Sequence, residues 1–153
     1  MSETLSQREL DALVAEAGDG PLDRLHLRGV RLAGLDLANC RLAGATIERC
    51  ELIECRLTGA DLSSSRIRDV SFDGCLLDLA NLAAATIDRS QFRGCVLRDA
   101  LLEDANLQAV DIDGCDLTGI RVAQLKGARI SYENLLDLVP ALAGALGIGV
   151  LER

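Results

Sequence analysis

The residues of this chain with the most reactive side chains are six cysteines, Cys40, Cys50, Cys55, Cys75, Cys95 and Cys115, and one histidine, His26. Thiols near an imidazole could hold zinc, and a thiol beside a base could act as a nucleophile. The spacing argues against both. Every gap between successive cysteines is a multiple of five positions, so the thiols fall in one phase of a periodic chain. There is no C-x₂-C pair, and the lone His26 leaves a mixed Cys/His site incomplete. A thiol stacked in a periodic interior has neither a base nor a path for substrate, so the six read as small apolar side chains. Two further motifs fail on their own chemistry. Asp111-Ile112-Asp113-Gly114 opens like a calcium loop but lacks the downstream bidentate Glu. Gly144-x-x-Gly147-x-Gly149 has the wrong order for a phosphate loop and no strand before it. A single His and a single Lys leave little for acid–base work. No catalytic residue, metal site or cofactor is expected, and the chain is not expected to be an enzyme.

The elements that place these residues follow from a repeat. Stepping by five from Leu22 to Val122 meets only Leu, Ile, Phe or Val, at 21 positions in a row. Two residues before each of these centres lies a second column, small and mostly apolar: Ala45, Ala60, Ala80, Ala85, Ala100 and Ala105, with Ser65, Ser90, Val30, Val70, Val110 and all the cysteines. The remaining positions are mainly polar or Gly. Strand alternation puts a second-column residue and its centre on one face, and the two outward residues that follow break the parity. The chain must therefore bend once every five residues. A longer period overlies the first, because Ser71-Phe72-Asp73-Gly74-Cys75 returns four units later as Gln91-Phe92-Arg93-Gly94-Cys95, and four units later again as Asp111-Ile112-Asp113-Gly114-Cys115. Four bends per turn make a square coil, with equivalent sides stacked at about 4.8 Å. Phe72 is then expected under Phe92, and Cys55, Cys75, Cys95 and Cys115 in one inward ladder.

Composition agrees. The chain has 153 residues, a net charge of −8, 49 % hydrophobic residues and only 2 % aromatics, with no Trp. An aliphatic content this high excludes disorder. The acidic balance argues against direct contact with nucleic acid or an anionic membrane face. A core one Leu thick has no room for Trp, which accounts for the missing aromatics. No basic segment precedes an apolar core at the start, so a signal peptide is not expected. The longest uncharged apolar run spans residues 138 to 151 and contains Pro140, short of the roughly 20 residues needed to span a bilayer. A soluble, cytoplasmic protein is expected.

Ala60-Asp61-Leu62-Ser63-Ser64, Ala80-Asn81-Leu82-Ala83-Ala84 and Ala105-Asn106-Leu107-Gln108-Ala109 carry a resemblance: they match the A-(D/N)-L-X-X unit of pentapeptide repeat proteins. The resemblance implies an all-β solenoid, a right-handed quadrilateral β-helix. It covers residues 20–125, about five coils at four units each. Residues 1–19 are then an N-terminal capping helix with its linker, and 126–153 a C-terminal helical cap or dimerisation segment.

A solenoid exposes core and unpaired backbone at both ends and needs caps. At the start, Leu5, Leu10, Leu13, Val14 and Ala17 are helix-spaced, Ser6 and Glu9 form a capping box, and Gly18-Asp19-Gly20-Pro21 ends the helix. At the end, Ser131 is expected to cap a helix that is kinked or restarted at Pro140 and stopped by Gly147, with Ile148 to Leu151 able to add a short strand. This tail is more apolar than a cap requires. In the MfpA- and Qnr-like branch of the family, similar C-terminal helices join two rods end to end. The resemblance thus implies a homodimer through Leu135, Leu138, Val139, Leu142, Leu146 and Ile148; an intramolecular cap that hides the same residues is the alternative.

Charge is unevenly placed. Residues 20–98 carry 10 acids and 11 Arg, whereas 99–119 hold Asp99, Glu103, Asp104, Asp111, Asp113 and Asp116 with no base. Earlier coils alternate sign vertically, as in Arg28, Glu48, Arg68 and Asp88, and the last acidic coil is expected to give up that pairing. MfpA- and Qnr-like proteins act as DNA mimics that occupy the DNA-binding surface of DNA gyrase, a type II topoisomerase, and modulate it or protect it from fluoroquinolones. The resemblance assigns that contact here to the six acids, against the plainer reading of a solubility surface. A second candidate is an aliphatic patch of Leu76, Leu79, Val96 and Leu101, which would suit an interaction scaffold or regulatory module unrelated to topoisomerase.

Overall fold

The computed structural model describes residues 3–17, 25–122, 125–149 and 151. The first centre, Leu22, and the helix stop at residues 18–21 lie outside these. In chain order the elements are β1 (Glu3–Leu5), α1 (Gln7–Ala17), β2 (His26–Arg28), β3 (Val30–Ala33), β4 (Thr46–Glu48), β5 (Glu51–Ile53), β6 (Arg66–Arg68), β7 (Ser71–Asp73), β8 (Thr86–Asp88), β9 (Gln91–Arg93), β10 (Asn106–Gln108), β11 (Val110–Asp113), β12 (Ala128–Ile130) and α2 (Tyr132–Ala145). They form a β-solenoid of about five turns with a helix at each end.

Two of the four sides are parallel sheets, one ordered β1-β3-β5-β7-β9-β11-β12 and the other β10-β8-β6-β4-β2. The remaining two sides are columns of single bridges, such as Arg56 to Leu76 to Val96 and Asp61 to Asn81 to Leu101. Partners inside the coil are four units apart in sequence, as in Ile47 with Ile67 and Leu52 with Phe72. The centres and the small second column fill the interior. Leu62, Leu77, Ala80, Leu82, Ala85 and Ile87 are fully buried. The Phe72 and Phe92 rings stack with centroids 4.6 Å apart and planes 5° from parallel.

Polar atoms of the second column are satisfied inside the coil. Ser65 Oγ donates to the Leu62 carbonyl at 2.6 Å, and Ser90 Oγ donates to the Asp88 carbonyl while accepting the Val70 N–H. The cysteine thiols reach back to carbonyls of the preceding coil, Cys75 to Leu52 at 3.2 Å and Cys95 to Phe72 at 3.3 Å. All six cysteines are free, five buried and Cys40 half-buried.

Each corner turns through a left-handed residue two places after a centre. Asn39, Asp69, Asp99 and Asp104 serve there, side chains that tolerate positive φ, but so does Leu79 at φ 60°.

Both ends close in the same way: one added strand, one plugging Leu and one carboxamide. At the start, residues 3–5, which precede the Ser6 cap, form a strand that the sequence did not predict; β1 pairs with β3, Leu5 opposite Leu32. An end strand with an open edge attracts a partner strand. Helix α1 then begins with the expected capping box, Ser6 N–H to Glu9 Oε2 at 2.8 Å and Glu9 N–H to Ser6 Oγ at 3.2 Å. These bonds hold the Glu9 carboxyl below its ordinary range. Leu10 is fully buried. Gln7 Nε2 donates to the Asp36 carbonyl at 2.9 Å, and its Oε1 accepts the Asp36 N–H at 2.7 Å.

At the other end β12 stacks on β11 with Asp111 opposite Arg129 and Ile112 opposite Ile130, a shorter step in sequence than the one from β9 to β11. Two residues are missing from this turn, so a ladder centre falls outside the five-residue period. Gly127 makes the shortcut possible. At φ 92° it sits so close to the Leu107 carbonyl that a Cβ would lie 1.9 Å from the oxygen.

Helix α2 departs from expectation at its N-cap and after its end, and of the two expectations at Pro140, a kink or a restart, the restart is absent. Ser131 occupies the N-cap position, but its hydroxyl bonds Asn134 Oδ1 rather than a helix N–H. The helix is not restarted at Pro140 and runs on to Ala145. It ends in a Schellman turn, Ile148 N–H to the Ala143 carbonyl at 2.7 Å and Gly147 N–H to the Gly144 carbonyl at 3.2 Å. Residues 148, 149 and 151 form no strand.

Candidate functional site

The six acids proposed as a contact surface lie on different sides of the last turn. Asp111 and Asp113 flank Ile112 on β11, Asp116 precedes Leu117 on the next side, and Glu103 and Asp104 follow Leu102. Asp99 lies one coil below, its carboxylate leaning over Gly119.

The expected loss of vertical pairing does not hold for two of them. Arg129 makes a bidentate contact with Asp111, Nε to Oδ1 at 2.6 Å and Nη2 to Oδ2 at 2.8 Å. Arg98 Nη2 donates to Asp116 Oδ2 at 2.7 Å. Both arginines lie outside the 99–119 window in sequence, yet the coil stacks them on their acids, one from the shortened turn and one from a coil below. The Asp111 carboxyl is held below its ordinary range, chiefly by the Arg129 guanidinium. Asp116 is lowered to about 2, first by the Thr118 hydroxyl, then by the Thr118 N–H and Arg98.

Two others have a conformational reason to be acidic, because Asp99 and Asp104 are left-handed corner residues at φ 57° and 58°. Asp113 stands opposite Arg93 in register. Asp99, Glu103, Asp104 and Asp113 are exposed, whereas Asp111 and Asp116 are half-buried beside their arginines. The expected pairing of earlier coils is present: Arg68 lies 3.7 Å from Asp88, with Arg28, Glu48 and Arg68 in register.

The residues assigned to dimerisation divide into two groups. Leu138 is 1 % exposed, and Leu142 also packs on the coil, so these two serve the intramolecular cap. Leu135, Val139, Leu146 and Ile148 are exposed, joined by Leu136, Tyr132 and Leu151, which the sequence reading did not include. Leu135, Leu136 and Val139 on α2, and Leu146 at its C-cap, are open to solvent, while Leu142 and Ala143, interleaved with them at helical spacing, are packed or buried. The helix thus carries apolar residues both against the coil and open to solvent. An open groove of about 500 Å³ runs beside it, lined by Glu103, Asp104, Arg121, Pro140 and Gly144 among others.

The aliphatic patch is smaller than expected. Leu76 and Leu79 are exposed, at 42 % and 60 %, whereas Val96 and Leu101 are half-buried. Leu76 and Val96 are bridged one coil apart; Leu101 sits on the neighbouring side, between Asn81 and Arg121.

No grouping of three or more His, Cys, Asp or Glu residues able to hold a metal ion occurs among the described residues. Burial pushes the Cys40 and Cys50 thiols above their ordinary range, away from the nucleophilic thiolate. No helix among the described residues is long and apolar enough to cross a membrane.

Sequence comparison matches residues 45–122 to a pentapeptide repeat region and residues 22–63 to pentapeptide repeats in eight copies. No curated protein matches significantly. Among solved structures, a pentapeptide repeat protein from the thylakoid lumen of Arabidopsis thaliana is 20 % identical, with 82 % of this chain and 86 % of that one covered and a TM-score of 0.48. Rfr23, from the cyanobacterium Cyanothece 51142, is also 20 % identical, over 71 % of this chain and 85 % of that one, with a TM-score of 0.48. Full-length QnrB1, described as a plasmid-mediated fluoroquinolone resistance protein, is 10 % identical over 95 % of each chain, with a TM-score of 0.36. Likenesses at these levels do not transfer function.

Proposed function

The chain belongs to the pentapeptide repeat family, and from that premise we propose that it is a non-enzymatic DNA mimic: a cytoplasmic homodimer, joined through its C-terminal segment, that occupies the DNA-binding surface of DNA gyrase or another type II topoisomerase. The right-handed quadrilateral sense of the coil belongs to the same reading. The observation that carries it is the coincidence, at one end of the rod, of four exposed acids and the exposed apolar side chains of α2. Dimerisation there would bring two sets of Asp99, Glu103, Asp104 and Asp113 to either side of the junction. Six unbridged thiols suit a reducing compartment.

The test is a gyrase supercoiling assay with added protein, with and without a fluoroquinolone. Inhibition or drug protection is expected from the wild type and is expected to be lost in Glu103→Lys with Asp113→Lys, which disturbs neither of the two ion-paired acids. Neither effect at micromolar dimer overturns the reading.

A second reading, an interaction scaffold with no topoisomerase role, is favoured by Leu79. That side chain is exposed and sits on a left-handed corner, two unfavourable features that folding does not ask for. Leu76→Arg with Val96→Arg separates the readings, because it would abolish scaffold binding and spare the gyrase effect.

A further inference from the structure

The C-terminal end of the sheet that contains β11 stops at β12, and among the described residues no strand covers its outer edge. The hydrogen-bond pattern of the coil says which groups that edge presents. Centre residues donate their N–H forward to the next coil, as Leu57 does to the Leu76 carbonyl at 2.6 Å and Leu77 to the Val96 carbonyl at 2.7 Å. Second-column residues offer their carbonyls forward, as Cys55 does to the Leu76 N–H and Ser90 to the Asp111 N–H. In β12 the centre is Ile130 and the second-column residue is Ala128, by their register with Ile112 and Val110. Ile112, the centre of β11, also offers its carbonyl forward, to the Ser131 N–H at 3.1 Å, and the Ala128 N–H is taken by the Leu125 carbonyl. The edge therefore carries the N–H and carbonyl of Ile130 and the carbonyl of Ala128, with Arg129 between them.

We infer that two copies of this chain join by antiparallel pairing of their β12 edges about a two-fold axis through Arg129, an inference that rests on the C-terminal dimer proposed above. A donor and an acceptor two residues apart on one strand are self-complementary under that symmetry. The Ile130 N–H of each copy meets the Ala128 carbonyl of the other. Arg129 of each copy then faces the partner's Arg129 in the closely spaced type of antiparallel pair, with Cα atoms about 4.5 Å apart. Two arginines so placed would repel each other, but each is already neutralised by the bidentate contact with its own Asp111.

The occupant is a second copy for two reasons. The edges of solenoid strands point along the coil axis, and helix α2, which starts two residues after β12, leaves apolar side chains open to solvent. Seven large apolar residues of this segment, Tyr132 through Leu151, are 44–87 % exposed, an area on the order of the 800 Å² per partner of a standard interface. At the opposite end, no exposed large apolar residue is found among the described side chains of β1 and α1. Pairing of β12 with a second copy's β1 would instead propagate without closing.

The test uses the full chain labelled with ¹⁵N, with sedimentation equilibrium to fix concentrations at which the dimer does and does not persist. Amide hydrogen exchange is then followed residue by residue. The Ile130 amide is expected to exchange at least about tenfold more slowly in the dimer than in the diluted monomer. Asp111→Asn, which leaves the two arginines uncompensated, is expected to raise the dimer dissociation constant at least about tenfold. A stable dimer whose Ile130 amide exchanges at the monomer rate overturns the strand pairing and leaves the C-terminal dimer standing. A monomer at every concentration overturns both. An open-ended series of oligomers shows β12 paired with β1 and overturns the two-fold arrangement.

Discussion

Asn134 and Cys115 are joined by a pair of hydrogen bonds that reproduces the contact between one coil and the next. In the body of the rod the carbonyl of a stacked cysteine accepts an N–H from the coil above, as Cys95 does from Asp116 at 2.9 Å. Among the described residues no further coil lies above Cys115. The Asn134 Nδ2 donates to the Cys115 carbonyl instead, and its Oδ1 accepts the Cys115 N–H at 2.9 Å. The side chain is 4 % exposed, so water is a poor substitute. Replacing it by Leu keeps the volume but strands two buried backbone groups, at a cost of about 2–4 kcal/mol. Gln7→Leu, which releases Asp36 at the more exposed start of the rod, is expected to cost about 0.5–1.5 kcal/mol. Urea unfolding of the two variants measures the difference.

The repeat was legible because a strand side with one centre and one small inward neighbour has a fixed parity, and 21 such sides in register leave no second assignment. The Phe72 and Phe92 stack and the cysteine ladder follow from the four-unit period alone. The shortened last turn was not legible. Its centre, Ile130, is out of phase with Val122, and the strand exists because Gly127 lets the backbone pass against Leu107. For the same reason the Asp111 pair with Arg129 could not be read from charge counts over a sequence window. Asn134 was not legible either, because a polar residue near a helix start has the sequence signature of a solvent-facing position. Among the assigned dimerisation residues, periodicity identified α2 as amphipathic but could not say which of its apolar residues meet the coil.

Gly127→Ala tests the shortcut. A Cβ there would lie 1.9 Å from the Leu107 oxygen and 2.8 Å from its carbonyl carbon, both backbone atoms that cannot swing aside. The residue is also left-handed, at φ 92°. The substitution is expected to destabilise by about 2–3 kcal/mol, near the upper end of ordinary point changes. It should also detach β12 from β11, which faster exchange of the Ile112 amide would report. Gly94→Ala, with open space around the added methyl, is the control and should cost only about 1 kcal/mol from its positive φ.

Leu79→Asn is expected to stabilise. The corner holds a γ-branched apolar side chain at φ 60° and 60 % exposure, whereas Asn adopts that conformation readily and is content in water. The gain should be about 0.5–1 kcal/mol, read from the midpoint of thermal unfolding. If the Leu76 and Leu79 patch receives a partner, the same variant loses the partner while gaining stability, a combination that general damage to the fold cannot produce.

Asp116 offers a titration whose causes can be separated. Its carboxyl is lowered to about 2 from an ordinary 3.8, with the Thr118 hydroxyl as the largest influence and Arg98 behind both Thr118 contacts. The hydroxyl donates at 2.7 Å and the Thr118 N–H at 3.0 Å to one carboxylate oxygen, while Arg98 takes the other. A folded value below the unfolded one means that the charged form is favoured by folding. The contribution to stability is therefore whole above about pH 4 and fades as the pH falls through about 2. Thr118→Val is expected to raise the midpoint, followed by ¹³C NMR of the carboxyl, more than Arg98→Ala does. High salt should weaken the effect of Arg98→Ala, since the guanidinium is well exposed and screened, and leave that of Thr118→Val in place. Unfolding free energies of wild type and Thr118→Val should differ at neutral pH, and the part of the difference that arises from the carboxylate should close between pH 4 and 2. A larger shift from Arg98→Ala than from Thr118→Val at high salt would mean that the ion pair, rather than the local turn, holds Asp116 charged.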